Sequence, residues 1–95
     1  MSRIVIFTRL TALPGKRDAL RDALDQLAVA TRAEPGNEAF VIHPARDEPD
    51  VILGYEVFRD DDAVIAHRAT EAVAVARAQL DDLLAAPPVI TYALD

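Results

Sequence analysis

Ninety-five residues, 52% of them hydrophobic, with a formal charge of −6, describe one folded domain over residues 1–95, too apolar for disorder and too short for a separate cofactor module. A chain of this size buries only about 60–65% of its unfolded surface, so its core is thin unless a partner completes it. The chain has no cysteine, which excludes disulfides, thiolate nucleophiles and Cys-based zinc sites, and its acidic balance, with Lys16 the single lysine, argues against a nucleic-acid partner.

Ile4 to Leu10 is β-branched and apolar and reads as a strand that ends before the Pro14-Gly15 turn. From Lys16 to Ala33, Leu20, Ala23, Leu24, Leu27 and Thr31 recur at three- and four-residue steps, which predicts an amphipathic helix. Pro35 stops that helix, because proline lacks an N–H and disfavours helical geometry in the residue before it. Gly36 is expected to supply positive φ at the reversal. Asn37 to His43 is the second strand, Pro44 to Asp50 a polar turn and Val51 to Arg59 the third strand. Asp60-Asp61-Asp62 caps a short helix through His67, and Thr70 caps another whose stripe is Val73, Ala76, Leu80, Leu83 and Leu84. Pro87-Pro88 ends it, and Val89 to Leu94 is the last strand.

The order βαββαβ, with its second helical region split near Arg68, predicts an α+β, ferredoxin-like antiparallel sheet with helices on one face. The third strand, however, is apolar on both faces: Val51, Leu53, Tyr55 and Val57 alternate against Ile52, Gly54 and Phe58, with Glu56 the exception. A strand of that kind is usually covered on both sides. A second copy of the chain is the simplest cover, so a homodimer is expected, with Glu56 turned toward the partner sheet. The N-terminal apolar run is too short for a signal peptide. The longest uncharged run, Leu83 to Leu94, is broken by prolines and too short to span a bilayer. A cytoplasmic protein that does not meet the membrane is the expectation.

No phosphate loop, GxGxxG, HExxH or Ser-His-Asp pattern is present. Two histidines, His43 and His67, are too few for a His-based metal site without carboxylate help, so no metal is expected. His67 falls three and four residues after Val64 and Ala63, on a helix face turned toward the sheet. There it could orient or deprotonate a phenol, or simply bond a backbone group at the helix end. His43, beside Pro44 at a strand end, reads as a surface or interface residue. Phe40, Tyr55, Phe58 and Tyr92 could line an aromatic pocket or serve as core. Arg77 and Asp81 have the spacing of a helical ion pair.

Pro14-Gly15-Lys16 before the first helix, Thr31 to Asn37 after it, Tyr55-Glu56-Val57-Phe58 in the third strand and Ala66-His67-Arg68-Ala69-Thr70 together resemble the antibiotic biosynthesis monooxygenase domain family, including its small quinol monooxygenases. The resemblance covers nearly the whole chain. It implies a dimeric α+β barrel in which two sheets pack together, and a pocket where some members oxidise hydroxylated aromatic rings with O₂ and no flavin, metal or haem. An electron-rich phenolate can pass an electron to O₂ itself, so the protein need only bind it, deprotonate it and exclude water. The resemblance implies His67 as a base or hydrogen-bond partner, no cofactor, and a small aromatic substrate with O₂; Thr8, Phe40, Tyr55 and Phe58 are the expected substrate contacts. Many relatives carry a second histidine where this chain has Ala72, and some use a tryptophan that it lacks. The resemblance disfavours haem degradation, because haem-degrading relatives place an asparagine where this chain has Thr8 and an axial histidine where it has Arg77. A non-catalytic binding domain and an isomerase on the same scaffold stand as alternatives.

Overall fold

The computed structural model describes residues 2–95. In chain order the elements are β1 (Ile4–Thr11), α1 (Arg17–Arg32), β2 (Asn37–Pro44), β3 (Val51–Phe58), α2 (Asp61–Arg68), α3 (Glu71–Asp81) and β4 (Val89–Leu94). The strands form one antiparallel sheet in the order β2-β3-β1-β4, which is the expected ferredoxin-like arrangement. The sheet is open, with β2 and β4 at its edges.

Local chemistry sets the boundaries. The Asp60 side chain accepts the Ala63 N–H at 2.8 Å, while Asp61 and Asp62 lie in the first turn of α2, where the positive end of the helix dipole favours acids. The Thr70 hydroxyl accepts the Val73 N–H at 3.3 Å and donates to the His67 carbonyl at 2.8 Å, so one side chain both closes α2 and opens α3. The third helix is shorter than its apolar stripe predicts. Leu83 and Leu84 lie beyond it, because the Leu13 N–H bonds the Leu83 carbonyl and Ala12 bridges Leu84, drawing this segment to the end of β1.

Gly36 differs from expectation as well. Among the described residues only Gly15 has positive φ, at 77°. What Gly36 provides is proximity, since a Cβ built on it would overlap the Cβ of Ala63 in α2. The Arg59 N–H bonds the Gly36 carbonyl at 2.8 Å and closes the same junction. The turn after α1 therefore lies directly against α2.

Two apolar clusters sit between sheet and helices. Ile4, Ile6, Phe58, Ala63 and Val64 pack at one end. Leu10, Ala12, Leu20, Leu24 and Ile52 pack at the other, with Ile42, Leu80 and Leu84 against them. Between them along the helix-facing side of β1 and β3 come Thr8 paired with Gly54, and Ile6 paired with Glu56. Where small and polar residues replace large apolar ones, the core opens into a cavity.

Strand alternation turns Phe7, Leu53, Tyr55 and Val41 to the helix-free face. All four are at least 38% exposed there, with the Phe7 and Tyr55 rings 5.4 Å apart. No helix among the described residues is long and apolar enough to cross a membrane.

Candidate active site

The site is assembled from three places in the chain. His67 is on the last turn of α2, Glu34 on the turn after α1, and Glu56 in the middle of β3. Val64, one turn before His67, is buried in the core, which rotates the imidazole toward the sheet. The ring packs on Phe58, with centroids 4.9 Å apart, and the side chain is only 10% exposed.

Both oxygens of the Glu34 carboxylate lie within hydrogen-bond distance of His67 Nδ1, at 3.1 and 3.0 Å. An ionised carboxylate can only accept, so the proton of the neutral imidazole resides on Nδ1. Nε2 is left with its lone pair, 3.9 Å from Glu56 Oε1. That separation is too long for a direct hydrogen bond and leaves Nε2 free to take a proton.

Glu56 is pushed above the ordinary carboxyl value, first by burial, while His67 and then Arg68 oppose the shift and Glu34 reinforces it. Each charged form at the site thus bears on the others. His67 next to two carboxyls, with one arginine nearby, belongs to a cluster of titratable side chains and is not an isolated polar residue. No group of three or more His, Asp or Glu among the described residues is arranged to hold a metal ion.

These side chains open onto a cavity of about 180 Å³ whose wall is mostly apolar, with Leu24, Leu27, Phe40, Ile42, Leu80 and Ile90 among its lining residues. For scale, an apolar cavity of about 150 Å³ admits benzene. Thr8, Gly54, Glu56 and His67 supply its floor and polar edge. At Gly54 the missing Cβ leaves room for the Thr8 hydroxyl, which a Cβ there would displace. A second hollow of about 120 Å³ shares Thr8, Glu56, His67, Val73, Arg77 and Ile90 with the first, and Arg68 and Tyr92 extend it.

Of the residues singled out from sequence, His67, Thr8 and Phe40 meet at this cavity. Tyr55 does not, because its position in the strand turns it to the helix-free face beside Phe7. Phe58 is fully buried and supports the His67 ring from behind, outside the cavity lining. Glu56 reverses its expected direction, pointing under the helices and not away from them. His43 is exposed on a β2 position paired with Leu53. Arg77 and Asp81 form no ion pair among the described residues, and Arg77 borders the cavity instead.

In the sequence Glu34 reads only as part of a helix stop. An acid just past a helix C-terminus, where the dipole disfavours negative charge, is the signal that marks it. For Glu56 the signal is a carboxyl sharing strand parity with Ile52, Gly54 and Phe58.

Comparison with known proteins follows the same architecture. The antibiotic biosynthesis monooxygenase family model matches residues 3–79. Rv0793 of Mycobacterium tuberculosis, which carries a provisional monooxygenase name, is 31% identical over 90 residues, 95% of this chain and 88% of its own. Its solved structure superposes with a TM-score of 0.90 at 29% identity, covering 97% of this chain and 93% of that one. PA3566 of Pseudomonas aeruginosa superposes with a TM-score of 0.93 at 26% identity, covering 100% and 95%. SO0527 of Shewanella oneidensis gives 0.91 at 27%, covering 99% and 91%.

Proposed function

Because the chain belongs to the antibiotic biosynthesis monooxygenase family, we propose that it is a cofactor-independent monooxygenase that oxidises a phenol- or quinol-type small molecule with O₂. The observation that carries this reading is the His67 Nε2 lone pair, set at the edge of an apolar cavity by the Glu34 contact on the opposite ring nitrogen.

His67 takes the phenolic proton, and Glu34 stabilises the resulting imidazolium. The phenolate gives one electron to O₂, the phenoxyl radical and superoxide combine at a ring carbon, and the resulting peroxide takes the proton back from the His67 imidazolium to become a hydroperoxide. Loss of water from that hydroperoxide leaves a carbonyl. One oxygen atom ends in the product and the other in water, and all four electrons needed to reduce O₂ come from the substrate. The apolar wall holds the ring and keeps bulk water from the radical pair. Thr8 and Phe40 are assigned to substrate contact.

The functional unit in this proposal is a homodimer. Phe7, Val41, Leu53 and Tyr55 form an apolar patch on the face that no helix covers, and packing two such faces would build the α+β barrel.

Oxygen uptake by the purified protein with a panel of quinols and naphthols tests the reading. Turnover should fall about 10²–10⁴-fold in His67→Ala, the range for loss of a general base. Substrate-dependent uptake unchanged in that variant would remove His67 from the chemistry. The 3.9 Å between His67 Nε2 and Glu56 Oε1 favours one other reading, an isomerase that moves a proton between two carbons. Solvent deuterium entering a bound substrate without oxygen uptake would select it.

A further inference from the structure

We infer that the cavity takes an aromatic ligand bearing a compact anionic group, held at the mouth by Arg68 and Arg77. This deepens the monooxygenase proposal by naming a substrate class, and it rests on the same cavity.

The main cavity is walled by aliphatic and aromatic side chains, which suits a ring system but fixes no orientation. Its charged groups are concentrated where it continues into the second hollow, which Arg68 from α2 and Arg77 from α3 border together with Glu56 and His67. Arg77 touches both hollows and forms no ion pair with any described residue. The Arg68 guanidinium lies over the Tyr92 ring, 5.2 Å from its centroid, and makes no direct ion pair with a carboxylate among the described residues.

Two guanidinium groups without a direct ion-pair partner among the described residues, at the mouth of an apolar cleft, are unusual in a chain whose net charge is −6. Most of the surface repels an anion, and this opening attracts one. The fork of N–H donors on arginine matches a carboxylate, and both arginines are exposed, open to a ligand group arriving from solvent. Glu56, the carboxyl that borders the same hollow, is mostly buried beside His67. Ring recognition in the apolar hollow and charge recognition at the rim therefore lie on one continuous surface.

The test compares two probes that differ by a carboxylate, 1-hydroxy-2-naphthoate and 1-naphthol, titrated calorimetrically into the full chain under nitrogen so that no oxidation intervenes. The naphthoate should bind at least about 10-fold more tightly than the naphthol, as expected for a charge-assisted contact. Arg77→Gln and Arg68→Gln should each reduce that preference, and the double variant should erase it, with 1-naphthol affinity held within about twofold and Arg77→Lys retaining part of the preference. Binding of 1-naphthol with no preference for the naphthoate would overturn the anion site and leave the cavity reading standing. A preference that survives in the double variant would overturn the anion site in the same way. Failure of both probes to bind would overturn the two together.

Discussion

Glu34 and His67 are 33 residues apart in the chain, yet the carboxylate reaches the imidazole Nδ1 at 3.0 Å. The contact fixes which nitrogen carries the proton and which faces the cavity. Glu34→Gln keeps an oxygen acceptor and loses the charge that stabilises imidazolium. A hydrogen bond to a charged group contributes about 1.5–3 kcal/mol, so turnover should fall roughly 10–100-fold. Glu34→Ala, which also leaves Nδ1 without a partner, should fall further. Kinetics on both variants check this.

Glu56 predicts a pH-dependent stability whose sign differs from that of an ordinary paired carboxylate. Its folded pKa lies above the usual value of 4.5, so the native state holds this proton more tightly than the unfolded chain does. Its favourable contribution is complete below the unfolded value and is lost as pH rises through the folded one. His67, Arg68 and Glu34 act on the same carboxyl, the first two opposing the shift and Glu34 adding to it. Glu56→Gln should therefore raise the thermal midpoint relative to the parent near pH 8, with the gap closing toward pH 4. Calorimetric scans across that range check the sign.

The junction at Gly36 predicts a compensating pair. Gly36→Ala forces a methyl into Ala63, and overpacking of this kind costs about 1–3 kcal/mol, a fall of several degrees in Tm. Because the displaced segment carries Glu34, activity should fall with it. Adding Ala63→Gly removes the opposing methyl and should restore most of the activity, though the new glycine destabilises the helix by about 1 kcal/mol. A double-mutant cycle on Tm and on kcat measures the coupling.

The uncovered face predicts an assembly phenotype. Phe7→Asp places a charge in the centre of the apolar patch beside Tyr55. Sedimentation equilibrium should give about twice the 10.3 kDa chain mass for the parent and the chain mass for the variant. A parent that sediments at 10.3 kDa at micromolar concentration would reject the dimer.

Elements with local punctuation are legible in the sequence. Pro35 marks a boundary by the N–H it lacks, Asp60 and Thr70 by bonds made within a few residues, and the element order predicts the antiparallel sheet. The cavity is only partly legible. Helix periodicity places His67, but Glu34 reaches it through a turn whose path depends on Gly36 meeting Ala63, a contact no local pattern encodes. Tyr55 and Glu56 exchange expected sides because apolar character on both faces of β3 leaves the parity of the strand undecided. Spacing alone pairs Arg77 with Asp81, although its neighbours across the cavity come from β1, β3 and β4.

The close seating of the turn after α1 against α2 separates two kinds of constraint within one small protein. The spacing of Glu34 and His67 is governed by main-chain approach at Gly36, the Arg59–Gly36 hydrogen bond and the Asp60 cap. The shape of the hollow is governed by other positions, such as Leu27, Phe40, Leu80 and Ile90. A lineage could therefore rewrite the wall for a new ring system one side chain at a time while the proton-handling pair stays in register. Under the proposed function, reactivity and substrate preference would be inherited on different residues, open to selection independently.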